Sequence, residues 1–475
     1  MINHFDVRAL DRARISRDAR FDGKFFIAVK TTGIYCRPIC PSRTSKSRNV
    51  SYYRTAAAAA EAGFRPCLRC RPEAAPGTPA WMGTSAVVKK ALRLIDEGIL
   101  DTASVDELAS KLGLGSRHLR RLFLQHVGAS PISFAQTRRL QFAKRLLDET
   151  NLPITQIALA SGFGSLRRFN TAFLQTYGRA PRVLRKHVNG ADDPDDEVIL
   201  KLAFRPPYDW KQVRDFLMVH HIPGVEQIDE QGYSRTLRTD NAFSIVSVKP
   251  LLNEDAFELR VSGAAPTSLF HISSAARRVF DTSADPELTM LALRADPLLG
   301  ARVAQRPGLR IPGAWDPFEC AVGEILREEG PNLMARFVER FGEKIPKHGS
   351  ALTSLFPTPA AIADGNFAGL GISRSRTSTV RKLARAVVDR CVDFNASSEC
   401  VIESLRSVSG IDSSMTEYIA LRALGEPDAF PSNDPVLRLA ASNTDRPLSA
   451  QQLEERSEAW RPWRGYAALH LWCAS

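Results

Sequence analysis

A multidomain α+β chain is predicted: a small α/β unit around a cysteine cluster, an all-α basic domain, a small α+β unit and a long, mostly helical C-terminal part. Three observations predict it. Four of the eight cysteines, Cys36, Cys40, Cys67 and Cys70, fall in one short segment, the apolar period switches between helical and alternating along the chain, and the charge is split. Residues 1 to 190 carry 32 Lys/Arg against 13 Asp/Glu, a net of +19, and the remainder carries 32 against 39, a net of −7. A basic block of that size points to a polyanion partner. A length of 475 residues suggests three or four domains, and 44% hydrophobic with 24% charged residues excludes a wholly disordered chain. No run of about 18 apolar residues occurs, and the N-terminal stretch is charged where a signal peptide needs an apolar core, so no membrane is expected and the compartment should be the cytoplasm.

The elements follow in order. Residues 1–75 hold the cysteine cluster. RPEAAPGTPA (71–80), rich in Pro, Gly and Ala, suits a linker. Residues 82–190 show helical spacing with glycine breaks at 113–115 and 162–164, and Leu108, Leu112, Leu119, Phe123, Ile157, Phe169 and Phe173 are the expected core. ADDPDDE (191–197) is a second linker, in which like charges repel. Residues 198–282, with β-rich runs FSIVSV and FELRVSG beside helical stretches, suggest the small α+β unit, and 283–475 reads as helical.

Cys36-x3-Cys40 and Cys67-x2-Cys70 present two pairs of thiolates on tight turns, filling the tetrahedral shell that Zn²⁺ prefers. Spacing alone leaves a purely structural zinc open. GKFFIAVKTTGIYCRPICPSR (23–43) and EAGFRPCLRCRPE (61–73) resemble the N-terminal domain of the Ada alkylation-response family. That resemblance implies a catalytic zinc site: Cys36 takes a methyl group from a DNA methylphosphotriester, Cys40, Cys67 and Cys70 are companion ligands, and Thr32, Arg43, Arg65 and Arg69 contact the phosphate backbone. Solvated arginines on a basic surface are the alternative for these residues.

SVDELASKLGLGSRHLRRLFLQ reads as helix, glycine turn and a second helix beginning near Ser116 as N-cap. PITQIALASGFGSLRRFNTAFLQTYGRAP repeats the plan with Ser165 as cap, and a long helix (about 131–147) joins the two. This resembles the AraC-type double helix-turn-helix domain, which implies binding to double-stranded promoter DNA, with RNA polymerase as a further partner. Arg117, His118, Arg120, Arg121, Arg167, Arg168 and Asn170 are placed to reach a groove or its phosphates. Helical repeats with basic faces also bind proteins.

LAFRPPYDWKQVRDFL (202–217), RPGLRIPGAWDPFECAV (306–322), DAFPSNDPVLR (428–438) and EAWRPWRGYAALHLW (458–472) resemble the AlkA family of 3-methyladenine DNA glycosylases, over residues 198 to 472. The resemblance implies a helix-hairpin-helix glycosylase-like domain, Asp434 as the carboxylate that stabilises the sugar cation and orients water, and Phe216, Tyr418 and Trp472 in the base pocket. An Asp in a Pro-rich loop is also a natural turn former or N-cap. Four positions depart from the family. Its hairpin Leu-Pro-Gly-Ile-Gly-Pro-Trp-Thr-Ala reads here Val408 to Thr416, with Asp412 at the second glycine and Ser414 at the tryptophan. Glu329 stands at the wedge that fills the stack behind a flipped base, in a stretch running from Ile325 to Pro331, and Pro435 replaces an aromatic. Asp412 is expected to repel phosphate. No lysine stands where strand-cleaving members form a Schiff base, and the Pro-Cys-His-Arg motif of a second Ada methyltransferase is absent. Cys320 and Cys473 read as core thiols. Three outcomes stay open: a sensor and activator that also excises alkylated bases, a methyl-sensing regulator whose glycosylase-like domain is non-catalytic, or a zinc-stabilised transcription factor with no enzymatic step.

Overall fold

The computed structural model describes residues 7–76, 86–96, 98–185, 197–239, 242–327, 329–330, 332–346, 351–442 and 446–473. Much of the two expected linkers, at 77–80 and 191–196, and Glu328 and Pro331 of the wedge stretch lie outside these residues. The chain forms two compact units, Met1–Pro206 with Leu251–Ser274, and Pro207–Pro250 with Ala275–Ser475.

In the first unit, helix α1 (Val7–Ser16) precedes strands β1 (Phe26–Val29), β2 (Ile34–Cys36), β3 (Val50–Tyr53) and, after helix α2 (Ala56–Glu61), β4 (Arg65–Pro66). The sheet order is β3-β1-β2-β4, antiparallel except for the parallel β2–β4 pair. Alternation along β1 feeds two small cores: Phe25 and Ile27 pack with Leu10, Ala13 and Val50, while Phe26 and Ala28 pack with Tyr35, Ala56 and Ala59. Seven helices follow: α3 (Ala86–Asp96), α4 (Ile99–Thr102), α5 (Val105–Lys111), α6 (Ser116–His126), α7 (Pro131–Glu149), α8 (Ile154–Ala160) and α9 (Leu166–Tyr177), then the short α10 (Pro181–Leu184). Ser104 and Glu107 form a capping box on α5, and Ser130 and Ser165 cap α7 and α9. The expected cap at Ser116 is displaced by one: Gly115 is the N-cap and Ser116 the first helical residue. Leu108, Leu119, Phe123, Ile157, Phe169 and Phe173 are fully buried, and Leu112 is half-buried against the same core.

The start of the first expected linker is ordered instead. Pro72–Ala74 form a 3-10 turn, entered through Arg71 at a left-handed φ of 52°, and Glu73 is buried. Arg71 Nε lies 2.8 Å from Asp148 Oδ2 and its NH2 3.3 Å from Glu149 Oε1, both at the end of α7. Lys144 completes the cluster by pairing with Asp148 and Glu73. Proline-rich composition did not make this stretch loose, because buried acids on both elements demand the cations between them. Thr55 Oγ1 donating to Val127 O (3.0 Å) and Ser130 N donating to Glu61 Oε2 (2.8 Å) further tie α2 to the helical domain.

In the second unit an antiparallel meander of Glu226–Ile228, Tyr233–Thr239 and Ala242–Pro250 accompanies helix Trp210–Val219, which Asp209 caps. Buried Arg235 donates to both carboxylate oxygens of Glu319 (3.0 and 2.8 Å) and to Glu226, fastening the meander to helix Pro317–Leu326. That helix shares one core with Leu333–Phe341, Arg374–Val388, Ser398–Ser407 and Ser413–Arg422, centred on Ile325, Phe337, Val380, Leu383, Leu405 and Ile419. No helix among the described residues is long and apolar enough to cross a membrane.

Candidate metal centre and nucleic-acid surfaces

The four cysteines converge. Cys36 ends β2, Cys40 follows in a turn closed by Cys40 N donating to Arg37 O, and Cys67 follows β4, whose parallel pairing with β2 is continued by Cys67 N donating to Tyr35 O (2.9 Å). Cys70 lies one turn on, with Arg71 N donating to Cys67 O. All four sulfurs lie within 4.8 Å of one another. Tetrahedral Zn–S bonds of about 2.3 Å place ligand sulfurs about 3.8 Å apart, so this cage fits Zn²⁺ with small adjustments. The electrostatics ask for a cation as well. Sulfur-to-sulfur hydrogen bonding pulls the Cys40 thiol down and pushes Cys36 up, and four thiolates this close repel one another unless a cation lies between them. Arg37 N donates to Cys70 Sγ (3.3 Å), and its guanidinium reaches Cys70 O while paired with Asp22. Cys67 and Cys70 are buried, whereas Cys36 and Cys40 are half-buried. Thr32, Arg43, Arg65 and Arg69, on the loops that carry these ligands, are all exposed.

In α6 and α9 the same division recurs. Leu119 and Phe123 of α6, and Phe169 and Phe173 of α9, bury one face, and the opposite face exposes Arg117, His118, Arg120 and Arg121 or Arg167, Arg168 and Asn170. Both helices thus present basic side chains near their N-termini, α9 from a cap at Ser165, as a helix that enters a groove must.

The second unit treats its predicted residues unevenly. Asp434 is buried at 8% exposure and is the N-cap of helix Pro435–Ala440, accepting from Leu437 N (3.0 Å). Pro435 is the first residue of that helix, where its missing N–H costs nothing. Tyr418 and Trp472 meet edge to face at 6.3 Å, and Phe216 stacks on His220 at 4.2 Å. What joins them is an arginine that sequence reasoning missed. The Arg422 guanidinium sits 4.7 Å over Phe216 and 5.5 Å over Tyr418, donates to Tyr418 Oη (3.2 Å), and is held by Pro312 O and Gly313 O. Arg327 lies 5.6 Å over Tyr418. Also missed was Glu324, buried beside Asp434 and Asp412. Burial, opposed by Arg327 and Arg422, pushes its carboxyl up to about 7, and its Oε2 has no hydrogen-bond partner among the described residues. An acid inside the apolar run FECAVGEIL was the available signal.

Two departures change meaning. Glu329 is not aimed into a base stack: its carboxylate accepts from Ser373 N (3.1 Å) and Ser373 Oγ, at the start of helix Arg374–Val388. Asp412 is the N-cap of helix Ser413–Arg422 and accepts from Met415 N (2.8 Å), so a carboxylate of the chain already occupies the N–H that a phosphate would use. Gly410, at φ 101°, is obligatory, since a Cβ there would lie 2.0 Å from Thr379 Oγ1. Cys320 is half-buried against the core, and its thiol is pushed up to about 12 by burial.

Three family models match: the metal binding domain of Ada over 9–73, a helix-turn-helix domain over 108–187 and the AlkA N-terminal domain over 199–316. A Mycobacterium tuberculosis (strain ATCC 25618 / H37Rv) protein named probable bifunctional transcriptional activator/DNA repair enzyme AlkA is 38% identical over 99% of this chain and 96% of its own. DNA-3-methyladenine glycosylase 2 of Escherichia coli (strain K12) is 27% identical over 57% of this chain and 95% of its own. The structure of 3-methyladenine DNA-glycosylase from Archaeoglobus fulgidus matches 57% of this chain and 96% of its own with a TM-score of 0.50 at 19% identity, a likeness of fold. The cysteine cage, the paired helix-turn-helix units and the near full-length relative agree, and the chain belongs to the family of bifunctional transcriptional activator/DNA repair enzymes that carry an Ada-type zinc domain, a DNA-binding helix-turn-helix domain and an AlkA-type glycosylase domain on one polypeptide.

Proposed function

We propose that the repair activity of the first unit is a single-turnover methyl transfer from DNA methylphosphotriesters to Cys36. The Cys36 thiolate attacks the methyl carbon, a C–S bond forms, the C–O bond breaks, and the phosphate keeps the electron pair as an ordinary phosphodiester anion. Zinc, when bound by Cys36, Cys40, Cys67 and Cys70, keeps the sulfurs deprotonated at neutral pH. The observation that carries this reading is the convergence of four sulfurs with Cys36 only half-buried, on loops that expose Arg43, Arg65 and Arg69. Those arginines and Thr32 hold the flanking phosphates. Turning one thiolate into a thioether removes a negative charge from a surface that faces phosphates, so DNA affinity rises. Arg117, His118, Arg120, Arg121, Arg167, Arg168 and Asn170 then engage a promoter, RNA polymerase is recruited, and repair genes are transcribed, all in the cytoplasm. Incubation with methylphosphotriester DNA should add one methyl mass at Cys36 and none in Cys36→Ser. Label on no cysteine overturns the reading.

In the second unit, Asp434 stabilises the developing sugar cation and orients water for excision of alkylated bases held among Phe216, Tyr418 and Trp472. A second reading, a non-catalytic glycosylase-like domain, is favoured by one observation: Arg422 and Arg327 bring two cations against Tyr418, where an alkylated, already cationic base would stack. Release of 3-methyladenine from methylated duplex by the full chain, lost by at least about 100-fold in Asp434→Asn, supports excision. No release from either supports the second reading, and equal release from both overturns the role given to Asp434.

A further inference from the structure

The second unit carries a slight net negative charge, the same sign as the DNA it is expected to meet, and its hairpin N–H is occupied by Asp412. One helix runs against that trend. Arg374–Val388 contains Arg374, Arg376, Arg381, Lys382 and Arg385 and no carboxylate. Its buried side faces the hairpin: Thr379 Oγ1 donates to Ser409 O (3.5 Å), and the close approach of Gly410 to Thr379 seats the hairpin on it. Its outer side forms, with Phe367, Ala368 and Ile372, a groove of about 500 Å³. Arg381 is anchored there, donating to Gly365 O (3.0 Å) with its guanidinium 5.1 Å over Phe367. Arg374, Lys382 and Arg385 are exposed and have no ion-pair or hydrogen-bond partner among the described residues.

We propose that this groove is a binding site for the phosphate backbone of duplex DNA, taking over the grip that the hairpin lost to Asp412. The proposal rests on the reading that the second unit acts on DNA. Three observations carry it together. First, charge complementarity: three unpaired cations with the hydroxyls of Thr377 and Ser378 line a single groove. Second, reach: the twelve residues from Arg374 to Arg385 span about 16 Å of helix, matching about five nucleotide steps along one strand of a duplex. Third, continuity: the helix that lines the groove also carries the hairpin, through Thr379 against Ser409 and Gly410, so the groove belongs to the element that positions the hairpin. The near-absence of acids is decisive here, because the nearest carboxylate at the helix start, Glu329, is engaged by Ser373. Apolar Phe367 and Ile372 at the floor suit sugar faces, and the groove is too open to enclose a small molecule by itself.

The test uses the full chain with Lys382→Gln/Arg385→Gln, and Lys382→Arg/Arg385→Lys as a charge-keeping control for folding. Each is offered a duplex containing a tetrahydrofuran abasic analogue in competition with an unmodified duplex of the same length, so that binding by the first unit cancels. The neutralised pair should lose the preference for the abasic duplex by on the order of tenfold, and the slope of its log affinity against log salt should fall by about 1.8, two phosphate contacts at about 0.9 each. The charge-keeping pair should behave as wild type. An unchanged preference and slope in the neutralised pair overturns the proposal, whatever else the groove binds, as does an equal loss in both pairs. Failure of the excision reading looks different: wild type then releases no base, while the neutralised pair still loses the abasic preference.

Discussion

In the first unit the buried acids Glu73 and Asp148 meet two cations, Lys144 and Arg71, whereas in the second unit the pocket carboxyl Glu324 meets Arg327 at 3.5 Å but also feels the acids Asp434 and Asp412, and is pushed up to about 7. Of the cations nearby, Arg422 lies over Phe216 and Tyr418, and Arg327 is divided between Glu324 and the face of Tyr418. A set of charges that neutralise one another holds elements in fixed relation, and here it binds the residue after Cys70 to the end of α7. A buried acid among more carboxyls than cations is tolerated where a ligand or a proton completes it, or where selection on the site has relaxed. The two regions thus separate a cluster in which cations match the buried acids from one in which Glu324, Asp412 and Asp434 face two arginines.

The sharpest way to break this comparison is to remove the metal's hold. Cys67→Ser should abolish stoichiometric zinc binding and leave residues 7–76 open to proteolysis, because a domain with two small cores relies on the metal for its folding free energy. Elemental analysis and limited proteolysis check it, and a protease-resistant, zinc-free domain would mean that Phe25, Phe26 and their neighbours suffice. A smaller effect is expected from Arg71→Leu. Asp148 then keeps only Lys144, and unfolding by urea should show a loss of about 3 kcal/mol in the first unit, with zinc still bound. An unchanged midpoint would show that the buried cluster is not the joint between zinc domain and α7. The third change works in the opposite sense. Glu324 is pushed from 4.5 up to about 7, so the folded state holds a proton that the unfolded chain gives up, and stability falls as pH rises from about 4.5 to 7. Glu324→Gln should therefore stabilise the second unit by about 2 kcal/mol at pH 8 and by under about 1 kcal/mol at pH 5. Parallel pH profiles for the two proteins would show that Glu324 is ionised and satisfied in the native state.

Much of the first unit was legible because its signals are local. Two cysteine pairs on short turns, glycine breaks between helices, and Ser130 and Ser165 as caps each depend on a few adjacent residues, and even the displaced cap at Gly115 moved by one position. The second unit was legible only in outline. Asp434 was expected as catalyst or cap, and its cap role is what the geometry displays. Asp412 carried the same local sign of an N-cap, an acid directly before a helix, but comparison with the hairpin pattern drew attention to repulsion instead.

Taken alone, the sequence determined the zinc ligands, the repeated helix-turn-helix plan and the split of charge, since composition and short spacing dictate them. Tertiary structure decided that Glu329 binds Ser373 across 44 residues, that Arg422 reaches Pro312 across 110 and fills the space between Phe216 and Tyr418, and that Arg71 crosses 78 residues to Glu149. The physical reason is that a charged side chain long enough to choose among several partners takes the one that burial leaves unsatisfied, and burial is a property of the folded whole.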